Sequence, residues 1–243
     1  MKIYCVYDSV KYREHEFMAE CPETFLPEYI PVKLKEYDSN CKPDILVKGL
    51  VNSDDFLRLV LKYHNKDKHF LSHVFVLSKD SESFMITDAV LNQFPTLEQR
   101  LNIAINAYDF ASSYNVENKN LSIGFLNHSG HFNIKNKTAC ESELLSEAFN
   151  QYKPFVITQT GQLDILLSKD SRRIKGISDY GSANIIVVND INEGNSLVKA
   201  YMLNGWNCMG YVIGADIPII LNSRSNLNVE KSVNFLLDNG IIQ

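Results

Sequence analysis

The sequence predicts an α/β fold with a mostly parallel sheet. Short apolar runs rich in β-branched residues alternate along the chain with segments whose apolar residues have helical spacing. The 243 residues, 45% of them hydrophobic, can bury the core of one large domain or two small ones. No apolar run approaches the roughly 20 residues of a membrane span, so no membrane partner is expected.

Charge and cysteine usage narrow the class of protein further. The net charge is −5 with both signs dispersed, which does not suggest nucleic-acid binding. The first residues, MKIYCVYDSV, form a strand-like run without the basic start and apolar core of a signal peptide. The five cysteines are odd in number and have no metal-ligand spacing. Reduced thiols and a cytoplasmic location are therefore expected.

The sequence up to Ala89 predicts a strand, a helix and two further strands around a turn. DILVKGLV (Asp44–Val51) is a short apolar strand, and SDDFLRLVLKYH is a helix with Ser53 as the expected N-cap. SHVFVL (Ser72–Leu77) and FMITDA (Phe84–Ala89) are two strands around a charged turn, KDSES.

The clearest helix of the sequence is PTLEQRLNIAINAYDFASSY. Thr96 and Gln99 have the spacing of a capping box. The residues expected to share one face are Leu97, Leu101, Ala104, Tyr108 and Ala111.

The rest of the chain continues the alternation. LSIGFL (Leu121–Leu126) is a strand, CESELLSEAFNQY a helix, and FVIT, LDILLS and NIIVV are short apolar runs. NEGNSLVKAYMLN is a helix that ends at Gly205, and YVIG precedes the run IPIIL (Ile217–Leu221). The last helix is VEKSVNFLLDNG.

Ser223 and Arg224 follow the IPIIL strand at the point where the chain turns into the last helix. In α/β folds ligands bind beyond the carboxyl ends of strands, near helix N-termini. An arginine beside free backbone N–H groups favours an anion such as phosphate. The alternative, which position alone leaves open, is that both are ordinary turn residues.

Three other strand ends carry candidate residues. Arg58 lies one turn into the helix after DILVKGLV, and its alternative role is that of a solvated surface arginine. Gly194 lies in the first turn after NIIVV, where it allows close approach of a ligand or of another backbone. His128 and His131 lack further ligands at metal spacing, so a polar loop is favoured over a metal site. Neither a dinucleotide-binding GxGxxG nor a P-loop motif is present, and no Ser-His-Asp triad follows from spacing.

Several blocks in order resemble the phosphate acetyltransferase and phosphate butyryltransferase family, whose members exchange an acyl group between coenzyme A and phosphate. The blocks run from about Asp44 to the C-terminus. They are ILVKGLVNSDDFLR, LSHVFVL, ITDAVLNQFPTLEQRLNIAINAYDFA, GQLDILLSKDSRRIKGI, GSANIIVVNDINEGNSLVKA and GYVIGADIPIILNSRS.

The resemblance implies a role for each matching residue. Ser223 would hydrogen-bond the sulfur of coenzyme A, and Arg224 would hold phosphate or the developing oxyanion. Arg58 would be a second phosphate-binding arginine, and Glu230 would be the general base. The other implied substrate-binding residues are Ser53, Gly194, Asn195 and Asp164. Phosphate would attack the thioester directly, with no tightly bound cofactor and no metal.

The family fold implies two three-layer α/β/α domains with a cleft between them, in an isocitrate/isopropylmalate dehydrogenase-like topology. The implied first domain combines residues 1–67 with 221–243, and the second is 68–220. A homodimer is usual in the family.

The sequence also departs from the family pattern. Asn226 and Asn228 replace two acidic residues, Asn189-Asp190 replaces Pro-Asp, and fewer than 50 residues precede the Lys48-Gly49 turn where the family has a longer stretch. An acyltransferase therefore stands beside an alternative, a noncatalytic relative that binds coenzyme A, phosphate or a protein. A third interpretation is a relative of the acyl-carrier-protein-dependent phosphate acyltransferases.

Overall fold

A computed structural model describes residues 1–8, 29–65, 69–114, 121–129, 134–223 and 229–241. The strands are β1 (Ile3–Tyr7), β2 (Tyr29–Lys33), β3 (Ile45–Lys48), β4 (Ser72–Lys79), β5 (Glu82–Thr87), β6 (Ser122–Leu126), β7 (Ile157–Gly161), β8 (Ile185–Val187), β9 (Asn207–Ile213) and β10 (Ile219–Ile220). The α-helices are α1 (Ser53–Tyr63), α2 (Leu97–Tyr114), α3 (Lys137–Tyr152), α4 (Leu163–Leu167), α5 (Lys169–Ile174), α6 (Ile191–Leu203) and α7 (Val229–Asp238), and a 3₁₀ turn covers Leu34–Glu36.

The chain forms two compact units. The first contains Met1–Leu71 and Met209–Gln243, and the second contains Ser72–Cys208. Residues 209–220 thus lie in the first unit, whereas the sequence-based division assigned them to the second domain. The division into folding domains stays a prediction.

In the first unit the strands follow the order β2-β1-β3-β10-β9. The first four are parallel to one another, and β9 is antiparallel to β10. Helices α1 and α7 each bury one apolar face, because their apolar residues recur at intervals of three and four. The mostly parallel sheet expected from the alternation of elements is confirmed in this unit.

In the second unit the strands follow the order β4-β5-β8-β6-β7. β4 and β5, the two strands expected around a charged turn, pair in antiparallel fashion with the turn at Asp80 and Ser81, and the other pairs are parallel. The hydrophobic core includes Phe75, Leu77, Ile86, Leu126, Leu166, Ile186 and Val198. Burial of both faces explains why a strand such as IIV of β8 is an uninterrupted apolar run.

The start of α2 confirms the predicted capping box. The backbone N–H of Thr96 donates to Gln99 Oε1 at 2.9 Å, and that of Gln99 donates to Thr96 Oγ1 at 3.3 Å. The buried face matches the expected one only in part: Ala104 and Ala111 are buried as expected, but Leu97 is 38% exposed. Arg100, Ile103 and Ala107 are buried as well, and the apolar pattern missed Arg100 because it is charged.

One local prediction was wrong. Ser53 is the first residue of α1 and not its N-cap, because Asn52 accepts the backbone N–H of Asp54 at 2.9 Å. The short apolar run LDILLS, to which no element type was assigned, forms the short helix α4. The FVIT strand begins at Ile157, since Phe155 is fully exposed with φ +77°.

Two further findings concern the described residues. None of the helices among them is both long and apolar enough to cross a membrane. Their four cysteines, Cys5, Cys41, Cys140 and Cys208, are free thiols, and burial raises the pKa of Cys208 to about 11.

Candidate active site

The candidate site begins at two neighbouring strands of the first unit. β3 and β10 are parallel, with Ile219 opposite Leu46 and Ile220 opposite Val47. Parallel neighbours end at the same edge of a sheet. The segment that leads from β3 to α1 and the segment that leads from β10 to Ser223 therefore leave the sheet side by side.

The segment after β3 presents Arg58 to solvent. Asn52 caps α1, and Arg58 lies in the second turn with its side chain 77% exposed. Its Nη1 lies 3.2 Å from Asp55 Oδ1, an ion pair three residues apart on the helix. Such exposed pairs contribute little energy. A phosphate can therefore replace the carboxylate of Asp55 at small cost.

The first turn of α1 is not itself an anion site. Asp54 and Asp55 place two negative charges there, and Asn52 already accepts the N–H of Asp54. The half-buried Ser53 lies in this turn. The exposed cation of Arg58, rather than the helix terminus, is the feature of this segment that could pair with an anion.

The segment after β10 is anchored by a residue that the sequence did not single out, Asn222. This residue is 2% exposed. Its Oδ1 accepts the backbone N–H of Gly210 in β9 at 2.7 Å, and its Nδ2 donates to Ser232 Oγ in α7 at 2.9 Å. Buried bonds of this kind fix the chain, so the neighbouring half-buried Ser223 is held at the strand end.

Of the two other predicted catalytic residues, the structure describes only Glu230. Arg224 lies outside the described residues, as do Asn226 and Asn228. Glu230 is half-buried in the first turn of α7. The first unit thus places Ser53, Arg58 and Ser223 on segments that leave one sheet edge, with Glu230 in the helix that follows Ser223.

In the second unit, Gly194 and Asn195 lie in the first turn and a half of α6. Gly194 is buried, and a Cβ at this position would meet Ala89 Cα at 2.9 Å and Asp88 O at 3.0 Å. The close approach is thus to the protein's own backbone. Asn195 is exposed, and its Nδ2 donates to Ala89 O at 3.3 Å.

The N-terminus of α6 is already occupied. Asp190 Oδ1 accepts the backbone N–H groups of Asn192 and Glu193 at 2.8 and 3.0 Å. Glu193 adds a carboxylate to the same turn. Since free N–H groups and a positive field are what attract an anion to a helix terminus, this one does not suit phosphate.

Asp164 lies at the start of α4 with its side chain 48% exposed. Its Oδ2 accepts a hydrogen bond from Lys175 Nζ at 2.8 Å, and the same ammonium donates to Gln162 Oε1 at 2.8 Å. The hydrogen bond from Lys175 lowers the pKa of Asp164 below its usual value. The carboxylate is therefore ionised and held in place near neutral pH.

Arg100 is the residue of this unit that sequence patterns missed. Its guanidinium donates to Glu141 Oε2 at 3.2 Å and to Asn189 Oδ1 at 2.8 Å. Burial lowers the pKa of Arg100, and the carboxylates of Glu141, Glu193 and Asp190 oppose that effect. In the sequence, the signal that could have found Arg100 was a charged residue one turn before the apolar positions Ile103 and Ala104 of α2.

The histidines of the described residues make no metal site. Both ring nitrogens of His128 are engaged, Nε2 by Asn136 Nδ2 at 2.7 Å and Nδ1 by Thr138 Oγ1 at 2.9 Å, while His131 lies outside the description. Across the described parts of the chain, no three His, Cys, Asp or Glu side chains are grouped to hold a metal ion.

A buried chain of polar residues lies at the far end of α1. Tyr37 Oη bonds His64 Nε2, and His64 Nδ1 lies 3.0 Å from Asp216 Oδ1. Burial raises the pKa of Tyr37, so its hydroxyl stays protonated and donates to Nε2. His64 then carries its proton on Nδ1 and donates to Asp216. This chain ties the end of α1 to the turn before β10.

Comparison with known proteins decides the family. The model of the family described as "Phosphate acetyl/butaryl transferase" matches residues 36–237. The chain belongs to this family. The match covers the strands that lead to Arg58 and to Ser223, as well as α4 and α6.

Among curated relatives, the chain is 29% identical over 213 residues to a phosphate butyryltransferase of Clostridium acetobutylicum, covering 82% of this chain and 69% of the relative. It is 30% identical over 190 residues to a phosphate acetyltransferase of Rickettsia felis, covering 74% and 54%. The chain thus spans about half the length of that acetyltransferase. By their names these relatives are acyltransferases.

A solved structure gives the fold. A branched-chain phosphotransacylase from Enterococcus faecalis V583 superposes with a TM-score of 0.77 over 98% of this chain and 99% of that one, at 22% identity. The expected mixed α/β fold is therefore confirmed, and it is similar to the fold of this phosphotransacylase.

Proposed function

We propose that this chain is a phosphate acyltransferase that converts a short-chain acyl-CoA and inorganic phosphate into an acyl phosphate and coenzyme A, with acetyl or butyryl as the acyl group. The observation that carries the proposal is the family match, which runs through the two segments bearing Arg58 and Ser223. The parallel pairing of β3 and β10 supports it, because it brings these segments to one edge.

In the proposed reaction, a phosphate oxygen forms a bond to the thioester carbonyl carbon, and the carbonyl electrons move to oxygen. The tetrahedral intermediate then collapses, the C–S bond breaks and thiolate leaves. Arg58 and Arg224 neutralise and align the phosphate, which otherwise repels other anionic groups of the substrate. Donors aimed at the developing oxyanion act where charge accumulates.

Two further groups complete the proposed mechanism. The Ser223 hydroxyl donates a hydrogen bond to the leaving sulfur, and the Glu230 carboxylate takes the proton of the attacking phosphate. Ser53, Gly194, Asn195 and Asp164 are the proposed substrate-binding residues. No tightly bound cofactor or metal takes part in this scheme.

The finer architecture belongs to the same proposal. It comprises two three-layer domains, 1–67 with 221–243 and 68–220, a substrate cleft, the isocitrate/isopropylmalate dehydrogenase-like topology, a homodimer and a cytoplasmic location. Gel filtration with light scattering measures the oligomeric state.

The experiment that tests the function is phosphate-dependent release of free thiol from acetyl-, butyryl- and isovaleryl-CoA by the purified protein. Release that requires phosphate and depends on the acyl chain supports the proposal and names the substrate. The expected chain-length discrimination is modest, because one methylene changes binding by about 1–3 kcal/mol.

Two variants assign roles within the reaction. Ser223→Ala should slow thiol release with little change in the KM for phosphate, and Glu230→Gln should alter the pH–rate profile. An unchanged profile removes Glu230 as the base. No release from any acyl-CoA, with coenzyme A still bound in calorimetry, favours the noncatalytic relative suggested by Asn226 and Asn228.

A further inference from the structure

A buried hydrogen bond in the first unit ties the carboxyl end of β10 to the helix that follows it. Asn222, the second residue after β10, is 2% exposed, and Ser232, the fourth residue of α7, is fully buried. Asn222 Nδ2 donates to Ser232 Oγ at 2.9 Å. The residues between these partners in the sequence include Ser223 and Glu230, two of the proposed catalytic residues. The bond therefore joins the two ends of the segment that carries both of them.

The Asn222 side chain is itself held by β9. Its Oδ1 accepts the backbone N–H of Gly210 at 2.7 Å. The oxygen of the same glycine accepts the N–H of Leu221 at 2.8 Å, so both backbone groups of Gly210 bond to the segment after β10. An amide side chain accepts with its oxygen and donates with its nitrogen, so one orientation satisfies both partners. Asn222 thus links β9 and α7 in a fixed geometry.

A second contact reaches α7 at the same residue. Tyr211 Oη donates to the backbone oxygen of Ser232 at 3.0 Å, and the ring of Tyr211 packs on Phe235 with centroids 5.6 Å apart. Tyr211 is 1% exposed and pairs with Ile220 across the sheet. The hydroxyl of Ser232 and its carbonyl are therefore both bonded to residues at the end of the β9–β10 pair.

These bonds add direction to apolar packing. The buried apolar residues Val229, Val233 and Leu236 hold α7 against the sheet, but hydrophobic burial alone is non-directional. A rotated or shifted helix would leave the buried amide of Asn222 and the hydroxyl of Ser232 without each other, which is unfavourable in a low-dielectric interior. The network therefore selects one rotation of α7, and with it the position of the first turn.

We propose that Asn222, Ser232 and Tyr211 are positioning residues that hold Ser223 and Glu230 in the arrangement needed for acyl transfer. The inference rests on the proposed acyltransferase function. None of the three is a catalytic residue, because each is at most 2% exposed. Ser223 and Glu230 act on groups whose charge changes during the reaction, so loosening them should lower kcat and leave both KM values unchanged.

The test compares Ser232→Ala and Tyr211→Phe with wild type. Ser232→Ala removes the hydroxyl to which Asn222 donates, and Tyr211→Phe removes a donor to Ser232 and keeps the ring. Ser142→Ala is the matched control, since Ser142 is also a fully buried helical serine and its Oγ donates to Thr138 O at 2.8 Å in the second unit. We measure kcat, separate KM values for acyl-CoA and phosphate, and the melting temperature.

Ser232→Ala is expected to lower kcat about tenfold and Tyr211→Phe about threefold, the order expected when a hydrogen bond that orients catalytic groups is lost. Both KM values should stay within about twofold. Ser142→Ala should lower the melting temperature to a similar extent and keep kcat. Unchanged kcat in both first-unit variants, an equal fall in the control, or a change confined to KM overturns the proposal. If Ser232→Ala does not fold, Tyr211→Phe decides by the same criteria.

The failure of the proposed function is recognised separately. If wild type releases no thiol from any acyl-CoA, the acyltransferase proposal fails, and calorimetry decides whether Ser223 is positioned. A Ser223 hydroxyl held towards the sulfur should favour coenzyme A over desulfo-coenzyme A, the analogue that lacks the sulfur. Loss of this preference in folded Ser232→Ala, with its retention in Ser142→Ala, supports the positioning role. A preference that Ser232→Ala retains, an equal loss in the control, or no preference in wild type overturns it.

Discussion

The two units use arginine in opposite ways at the carboxyl ends of their strands. In the first unit, Arg58 is 77% exposed and, among the residues that the structure describes, forms an ion pair with its helix neighbour Asp55. In the second, Arg100 is 3% exposed and donates to Glu141 and Asn189. One guanidinium can exchange its partner for a ligand, whereas the other is committed to the protein.

The comparison distinguishes an arginine that can bind a ligand, Arg58, from one that stabilises the protein, Arg100. An exposed cation with a weak ion pair attracts phosphate because little is lost when the partner changes. Removing a buried arginine takes a donor from the Asn189 oxygen and a positive charge from beside Glu141, so Arg100 stabilises a local arrangement. The first unit is therefore expected to govern phosphate binding, and Arg100 to support the fold of the second.

The largest expected effect is that of removing the exposed arginine. Arg58→Ala should lower kcat/KM for phosphate by about a hundredfold, the usual order for losing a charged donor at a developing anion, while the melting temperature hardly changes. Lys62→Ala is the control, because Lys62 is exposed one turn further along α1. An equal loss in both variants, measured by thiol release, would mean that only overall charge matters.

The next effect concerns Gly194, for which the sequence left a ligand role and a packing role open. Gly194→Ala should destabilise the protein by about 1–3 kcal/mol, since the new Cβ would lie 2.9 Å from the backbone of Ala89. Chemical denaturation measures this loss. Asn195→Ala, one residue along and exposed, should leave stability unchanged and alter only acyl-CoA binding. A stable Gly194→Ala variant would contradict the packing role.

These positions show how much the sequence could predict. The alternation of apolar runs gave the fold class and most elements, because burial on both faces leaves an unmistakable composition in strands such as β6 and β8. The capping box of Thr96 and Gln99 was also predictable, since both partners are local. The resemblance placed Arg58 and Ser223 at strand ends.

What the sequence could not predict depends on contacts between distant segments. Asn189 is 89 residues from Arg100, and Asn222 reaches Gly210 and Ser232 from different elements. The short apolar run LDILLS is ambiguous for a related reason: composition alone does not separate a buried strand from a buried helix, and residues 163–167 form a helix. Both features depend on tertiary contacts that local preference does not determine.

A smaller effect tests whether phosphate can replace Asp55 as the partner of Arg58. Asp55→Asn removes the carboxylate that competes with phosphate for Arg58, so the KM for phosphate should fall about two- to fivefold, as expected for a weak surface pair. Asp54→Asn makes the same charge change one residue away without a bond to Arg58. If both substitutions lower the KM equally, Asp55 does not compete directly, and the effect belongs to the general field of the helix terminus.

The smallest expected effect is the pH dependence contributed by Asp164. The hydrogen bond from Lys175 lowers its pKa in the folded protein, so this pair stabilises the fold above the unfolded-state pKa, and the contribution is lost as pH falls through the folded-state pKa. Lys175→Met should raise the pKa of Asp164 towards its usual value, measured by NMR titration of the carboxyl carbon. The exposed Lys35→Met is the control.

Because Asp164 is about half exposed, the loss of stability at neutral pH should stay below about 1 kcal/mol and should shrink at acid pH, where the carboxyl is protonated in both proteins. A loss that persists at low pH would show that Lys175 acts through its bond to Gln162 instead. In that case the ammonium, and not the carboxylate, organises the start of α4, and Asp164 remains available to a substrate.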